Sequence, residues 1–307
     1  GGRVHVVSDL NWCGTLSSNV IGCADTPGGC MIVVRDDDPA IEAVLWAHEF
    51  GHNRGLDHRD VNDAVMHSII ETTHRRLTQA ECSAFRGPSA GSTGGETRRM
   101  PAGRGEPPMD IKEFVRRRYV HGVPYEQASS YPAEVVPTLL EMLRDPAERA
   151  HRANIVATLG MIGDPRAVRP LLELFAEGEG QLSNREYKLR KAIVVSLGYL
   201  LNKTDDREVL EFLLEGLNPD SWSRTVKWDS PADVPPEHTQ SQLTKMAIWG
   251  LALSGKTEAR EALLSLQQGP AAALSAAPGG LLANVTREAI DVNSTVAEKG
   301  LAGYHER

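Results

Sequence analysis

Residues 47–60 read AHEFGHNRGLDHRD, which brings three histidines together around one glycine. His48 and His52 are four residues apart, so on a helix both imidazoles lie on one face, one turn apart. Gly55 can adopt the positive φ that ends a helix, and the chain can then return His58 to the first pair. Three histidines that leave one coordination position open are typical of a catalytic zinc site.

Glu49 directly follows the first histidine, where its carboxylate can face a zinc-bound water without binding the metal. Zinc lowers the pKa of such a water toward about 7, and a neighbouring carboxylate can take its proton as general base. Histidines four apart also occur on ordinary polar helices. The complete string HEFGHNRGLDH (48–58) is much more restrictive than that spacing and favours the zinc site.

The same string resembles the H-E-x-x-H-x-x-G-x-x-H signature of the metzincin zinc endopeptidases. That family has a methionine in a tight turn beneath the metal, and here NDAVMHS supplies Met66. The sequence AVMHS is matrixin-like, and the resemblance spans about residues 3–86. It implies a Zn²⁺ cofactor and a protein or peptide substrate, with no further cofactor site. The roles it implies are His48, His52 and His58 as metal ligands, Glu49 as the catalytic base, and Gly55 and Met66 as supporting residues. His67, next to the methionine, is expected to be structural.

The pattern of residues 1–86 predicts an α+β domain. VHVVSD (4–9) and MIVVRD (31–36) are β-branched runs typical of strands, and a Gly-rich rim separates them. A helix is expected from Ile41 to about Arg54, and TQAE (78–81) predicts a capping box at the start of a last helix. Metzincin domains carry further elements upstream, so the resemblance implies an N-terminally shortened domain. An edge strand near the rim is expected to hold substrate in extended form.

Residues 87–109 read GPSAGSTGGETRRMPAGRGEPPM, a composition that predicts a flexible linker. Almost none of these residues could enter a hydrophobic core.

Residues 110–307 are expected to form an all-α solenoid. Leu159-Gly160, Leu197-Gly198 and Trp249-Gly250 align at spacings of 38 and 52 residues, each within an amphipathic helix that a second helix follows. The segment LGMIGDPRAVRPLLEL (159–174) resembles HEAT-like repeats, and that resemblance covers roughly 130–267. A generic helical bundle is the alternative. After the Ala/Gly/Pro-rich start of 268–307, one more helix is expected as a cap.

The four cysteines, at positions 13, 23, 30 and 82, all lie in the first zone. Four cysteines allow three pairings, which sequence cannot distinguish. Reduced thiols and a four-cysteine metal site are alternatives, but we favour Cys23–Cys30 and Cys13–Cys82. Disulfides predict a secreted or otherwise extracytoplasmic protein.

Charge and hydropathy exclude other classes of function. The net charge of −8 argues against a nucleic-acid partner, and RRRYVHG (116–122) and TRRM (97–100) are interpreted as solvated faces. The sequence has no apolar run long enough to span a membrane.

Two functional hypotheses follow from the sequence. The first is a zinc-dependent endopeptidase whose helical repeats bind substrate or a protein partner. The second is a scaffold built on the repeats, with a structural or inactive zinc domain.

Overall fold

A computed structural model describes residues 2–7, 10–13, 15–87, 109–268 and 281–306. Contacts divide the chain into a first unit, Gly1–Cys13 and Asn19–Gly122, and a second unit, Gly14–Ser18 and Val123–Arg307. The sequence pattern assigned residues 110–122 to the helical region, whereas their contacts place them in the first unit. The predicted linker lies outside the described residues except at its two ends.

The chain up to Gly122 contains five short strands and three helices within its described residues. They are β1 (Arg3–Val7), β2 (Leu10–Cys13), β3 (Thr15–Val20), β4 (Gly22–Ala24), β5 (Cys30–Val34), α1 (Pro39–Asn53), α2 (Gln79–Arg86) and α3 (Ile111–Arg116). One sheet has the order β1-β5-β4, with β1 parallel and β4 antiparallel to β5. Both predicted strands are present. The rim between them also contains β4, which lacks β-branched residues and so gave no strand signal.

Helix α1 packs on this sheet through its apolar positions. Ile41, Val44 and Leu45 are buried with Val33 of β5 in one core cluster, which also contains Ile70 and Val120. Asp38 caps the helix by accepting a hydrogen bond from the Ala40 N–H, and Pro39 occupies the first turn, where its missing N–H costs nothing. The predicted capping box is confirmed at α2, where Thr78 and Glu81 exchange hydrogen bonds.

Both predicted cysteine pairings are wrong. Cys13 is bonded to Cys23, while Cys30 and Cys82 are free thiols. The register explains why the local loop closure does not form: Cys23 of β4 lies opposite Ile32, two residues beyond Cys30 on β5. The antiparallel pairing therefore holds the two cysteines out of line.

From Val123 onward, the described residues are helical apart from two short strands and the connecting turns. Its elements are α4 (Tyr125–Ser130), α5 (Val136–Arg144), α6 (Arg152–Ile162), α7 (Val168–Ala176), β6 (Gly180–Gln181), α8 (Asn184–Thr204), α9 (Arg207–Glu215), α10 (Trp222–Thr225), β7 (Trp228–Asp229), α11 (Pro236–Ser254), α12 (Thr257–Gln268) and α13 (Leu281–His305). The last helix expected from the sequence is thus α13. No helix in the described part of the chain is long and apolar enough to cross a membrane.

The aligned Leu-Gly positions fall in α6, α8 and α11, which pack side by side. These helices were predicted to be amphipathic, but each is buried over long consecutive stretches, such as 189–201 of α8. Each of the three packs against more than one other helix, so most of its faces are apolar. The helices α7 and α9 that follow them each bury one face. Helical repeats are therefore present, and a solenoid built from them stays a prediction.

Candidate metal centre

Helix α1 presents His48 and His52 on one face, as the spacing predicted. His48 Nδ1 donates a hydrogen bond to the Val65 carbonyl at 2.9 Å, and His52 Nδ1 donates one to the Leu56 carbonyl at 2.8 Å. Because a carbonyl oxygen only accepts, each Nδ1 carries the ring hydrogen and each Nε2 keeps a lone pair. Such backbone partners commonly orient histidines that bind metals.

The end of α1 at Gly55 returns the third histidine. Gly55 has a φ of +79°, its N–H donates to the His52 carbonyl, and the Leu56 N–H donates to the Gly51 carbonyl. This pair of hydrogen bonds is the Schellman arrangement that closes helices at a left-handed glycine. The same turn places the Leu56 carbonyl against His52 and brings His58 Nε2 to 3.3 Å from His48 Nε2.

The loop that carries His58 is anchored by its next residue. Arg59 donates two hydrogen bonds to the Glu81 carboxylate, at 2.8 and 3.1 Å, and one to the Arg76 carbonyl. Bidentate pairs of this kind fix orientation as well as adding free energy. Glu81 also caps α2, so α2 and the loop of the third histidine are held by one carboxylate.

Met66 lies directly against the histidine helix. Its side chain is fully buried, and a Cβ added at Gly51 would lie 2.9 Å from Met66 Cε and closer still to the sulfur. Gly51 stands between His48 and His52 in sequence, so a glycine there lets the methionine turn approach the helix at the level of the cluster. Sequence reasoning identified Met66 but missed Gly51.

The Nε2 atoms of His48 and His52 face each other, and each carries a lone pair. His48 Nε2 and His52 Nε2 are 3.0 Å apart, and the hydrogens on their Nδ1 atoms leave none between them. Burial lowers the pKa of His48 well below its ordinary value, and His52 and His58 lower it further. Desolvation, together with the neighbouring His121 and His52, lowers the pKa of His58 to about 3. Neutral rings whose lone pairs converge at such distances form a donor set that fits a shared metal ion.

Glu49 lies beside the cluster and is fully buried. Both of its carboxylate oxygens are without a hydrogen-bond partner in the described structure. A buried carboxylate is costly unless it is paired or coordinates a cation, so its retention here indicates a role in the site. A Cβ at Gly22 of β4 would lie 2.7 Å from the Glu49 carboxyl carbon, so the rim strand passes directly over this group.

A fourth histidine joins the three that were predicted. His121 lies with His48, His52 and His58 so that one ligand atom of each falls within 4.8 Å of the others. It belongs to RRRYVHG, and the interpretation of that segment as a solvated face is wrong for its second half, where Tyr119 and Val120 are buried. The sequence signal for it was the apolar pair Tyr119-Val120 next to His121, which we overlooked because three arginines precede it.

His67 stays outside this cluster. Its Nδ1 accepts a hydrogen bond from the Ile69 N–H, and its Nε2 lies 3.3 Å from Asp60. With both ring nitrogens engaged, the residue organises the loop after Met66, in keeping with the structural role expected for it.

Comparison with known families agrees with both parts of the sequence resemblance. Residues 1–85 match the Matrixin family model. Residues 114–182 match a model of HEAT repeats. No curated protein and no solved structure matches the chain. The residues matched to the Matrixin model include His48, His52 and His58 and end well before His121.

Proposed function

We propose that the matrixin-like unit is a zinc-dependent endopeptidase. The observation that carries the proposal is the cluster of histidines, two of them oriented by backbone hydrogen bonds, beside a buried carboxylate that has no hydrogen-bond partner in the described structure. His48, His52 and His58 would hold Zn²⁺ through their Nε2 atoms. Bound there, zinc would act as a Lewis acid that polarises a peptide carbonyl and makes water more acidic.

The protein's own groups supply the proton transfers. Glu49 takes a proton from the attacking water and later delivers it to the leaving amine, which is general base and then general acid catalysis. Its low-dielectric surroundings strengthen its interaction with a cationic site. Gly55 fixes the return of His58, and Gly51 with Met66 supports the helix beneath the metal.

The other parts of the chain fit extracellular proteolysis of protein substrates. The Cys13–Cys23 disulfide favours an oxidising compartment, so we propose that the protein is secreted or otherwise extracytoplasmic. The helical repeats would bind substrate or a protein partner, since stacked repeats present extended surfaces.

Replacement of Glu49 by Gln tests the assignment. We expect Glu49→Gln to lower casein hydrolysis by about 10²–10⁴-fold, because the amide cannot accept the proton. Zinc content, measured by elemental analysis, should stay near one ion per chain, since the ligands are intact. Glu42→Gln makes the same chemical change at the other end of α1 and should hydrolyse like the parent. An unchanged rate in Glu49→Gln would exclude the proposed base.

A second function is favoured by the fourth histidine. Structural zinc sites are closed by four protein ligands, so the unit could be an inactive zinc domain attached to a scaffold of repeats. Hydrolysis of casein that a chelator abolishes would argue for the endopeptidase. If the protein hydrolyses no casein and chelation only lowers its melting temperature, the result would argue for the scaffold.

A further inference from the structure

An extended segment at the candidate site is hydrogen-bonded along both edges. This segment, residues 118–122, is called the strap below. On one side the Val120 carbonyl accepts hydrogen bonds from the Ile21 N–H at 2.8 Å and the Gly22 N–H at 3.2 Å. On the other side the Val120 N–H donates to the Ser68 carbonyl at 3.1 Å. The strap therefore lies between the rim and the chain that follows Met66.

The remaining contacts of the strap continue this arrangement. The Ile70 N–H donates to the Arg118 carbonyl, and Tyr119 forms an antiparallel bridge with Ile69. The Val120 side chain is fully buried in the core cluster, and Arg118 forms a salt bridge with Asp36. The strap is thus an integral part of the first unit.

The edge that the strap occupies is the one an extended peptide would use. β4 is an outer strand of its sheet, and Ile21, just before it, donates to the strap while its carbonyl accepts from Val34 of β5. Extended peptides bind such edges through main-chain hydrogen bonds. A substrate lying along β4 would pass over Glu49, because Gly22 lies against that carboxylate.

The strap also delivers His121 to the metal ligands. The six ring-centroid separations among His48, His52, His58 and His121 range from 4.7 to 5.8 Å. Four points with nearly equal mutual distances lie at the corners of a tetrahedron, the geometry of four-coordinate zinc. His121 Nε2 is buried without a hydrogen-bond partner in the described structure, and it lies 3.6 Å from Glu49 Oε1. That separation is within ion-pair distance but too long for a hydrogen bond, so Nε2 has a lone pair or hydrogen that no hydrogen bond uses.

We propose that the strap is autoinhibitory: it occupies the substrate edge, and His121 closes the metal site as a fourth ligand. The inference rests on the proposed endopeptidase function, because it describes how that activity would be held latent. Opening requires two changes. The strap must leave the edge of β4, where a peptide would replace it, and His121 must leave the metal, where water would replace it.

Cobalt(II) in place of zinc tests the coordination in the full-length chain. Tetrahedral cobalt(II) has intense visible bands, and these bands move to lower energy when one imidazole nitrogen is replaced by water, which is a weaker-field ligand. We expect His121→Ala to bind one cobalt per chain and to show this change, and added imidazole to restore the parent spectrum. His238→Ala removes an exposed histidine and should leave the spectrum unchanged. His121→Asn serves as a second variant if the alanine variant does not fold.

Hydrolysis by the zinc-loaded chains tests the latency. A minor open state is typically populated at about 0.1–10%, which bounds the gain from full opening at about 10- to 1,000-fold. His121→Ala removes one of the two contacts that close the site, so casein hydrolysis should rise within that range. Imidazole should reverse the gain in His121→Ala, and Glu49→Gln added to that variant should abolish it.

The failures of the two proposals are distinguishable. If His121→Ala keeps the parent's spectrum and rate while Glu49→Gln loses hydrolysis, the strap proposal is overturned and the endopeptidase stands. If the spectrum changes but neither the parent nor His121→Ala hydrolyses casein, the endopeptidase proposal is overturned, and the proposal of its autoinhibition is overturned with it. That second result leaves His121 as the fourth ligand of a structural site.

Discussion

Glycines in the two units allow close approach, but to different kinds of neighbour. In the matrixin-like unit, Gly22 makes room for the Glu49 carboxylate and Gly51 for the Met66 side chain. Both neighbours are side chains of the candidate site. These two glycines therefore allow functional groups of the site to take their positions.

In the second unit, Gly160 and Gly198 make room for backbone. A Cβ on Gly198 would lie 2.8 Å from the carbonyl carbon of Gly250 and closer still to its oxygen, and one on Gly160 would lie 2.8 Å from the Ser196 carbonyl oxygen. These positions are the crossings of α8 with α11 and of α6 with α8. Side chains can move aside and helix backbones cannot, so the same substitution should affect function in one unit and stability in the other.

The largest loss of stability is expected from Gly198→Ala. Alanine gains about 1 kcal/mol of helix propensity, but separating two packed helices outweighs this, for a net loss of about 2 kcal/mol or more. Urea unfolding followed by circular dichroism measures the change. Gly250→Ala is the matched partner: its Cβ would meet Leu213 at 3.0 Å and the Val194 carbonyl oxygen at 3.1 Å, so it should destabilise less. Equal losses in the two variants would contradict the crossing argument.

An intermediate effect is expected from Gly51→Ala. The new methyl group would overlap Met66, which is buried but flexible, so we expect a net loss of about 1 kcal/mol. Met66→Ala in the same chain should relieve the overlap, giving a coupling free energy of about 0.5–3 kcal/mol in a double-mutant cycle. Strict additivity would show that Met66 does not constrain the helix. Gly29→Ala is the neutral control, because its Cβ would have no non-adjacent neighbour within 4 Å among the described residues.

The comparison also explains which features the sequence could predict. Local signals were sufficient for α1, its termination at Gly55 and the capping box of Thr78, because each depends on residues a few positions apart. The repeat glycines were found in another way, by aligning segments 38 and 52 residues apart. The convergence of His48, His52 and His58 follows from that same local geometry. These features were recognisable without tertiary information.

Features that depend on distant pairing could not be predicted in this way. His121 reaches the cluster because Val120 pairs with residues near 21 and near 68, and no spacing rule links those positions. The Cys13–Cys23 bond likewise depends on the contact of β2, which ends at Cys13, with β4, which contains Cys23. Gly22 and Gly51 gave no signal, because a glycine that admits a side chain looks like any other until its neighbour is known.

The smallest effect on stability, with a large effect on function, is expected from Gly22→Ala. Its Cβ would overlap the end of the Glu49 side chain and lie 2.8 Å from Leu45 Cδ1, atoms that can shift at a cost below about 1 kcal/mol. The shift moves the carboxylate by about 1 Å, which is enough to lower hydrolysis about 10²-fold. The measurement compares the single variant His121→Ala with the double variant that also carries Gly22→Ala. The strap ligand is therefore absent from both chains. Zinc content should stay at one ion per chain, because no ligand is touched. A loss of zinc with the hydrolysis would mean that Gly22 supports the histidines and not the carboxylate, and unchanged hydrolysis would mean that the position of Glu49 does not limit the reaction.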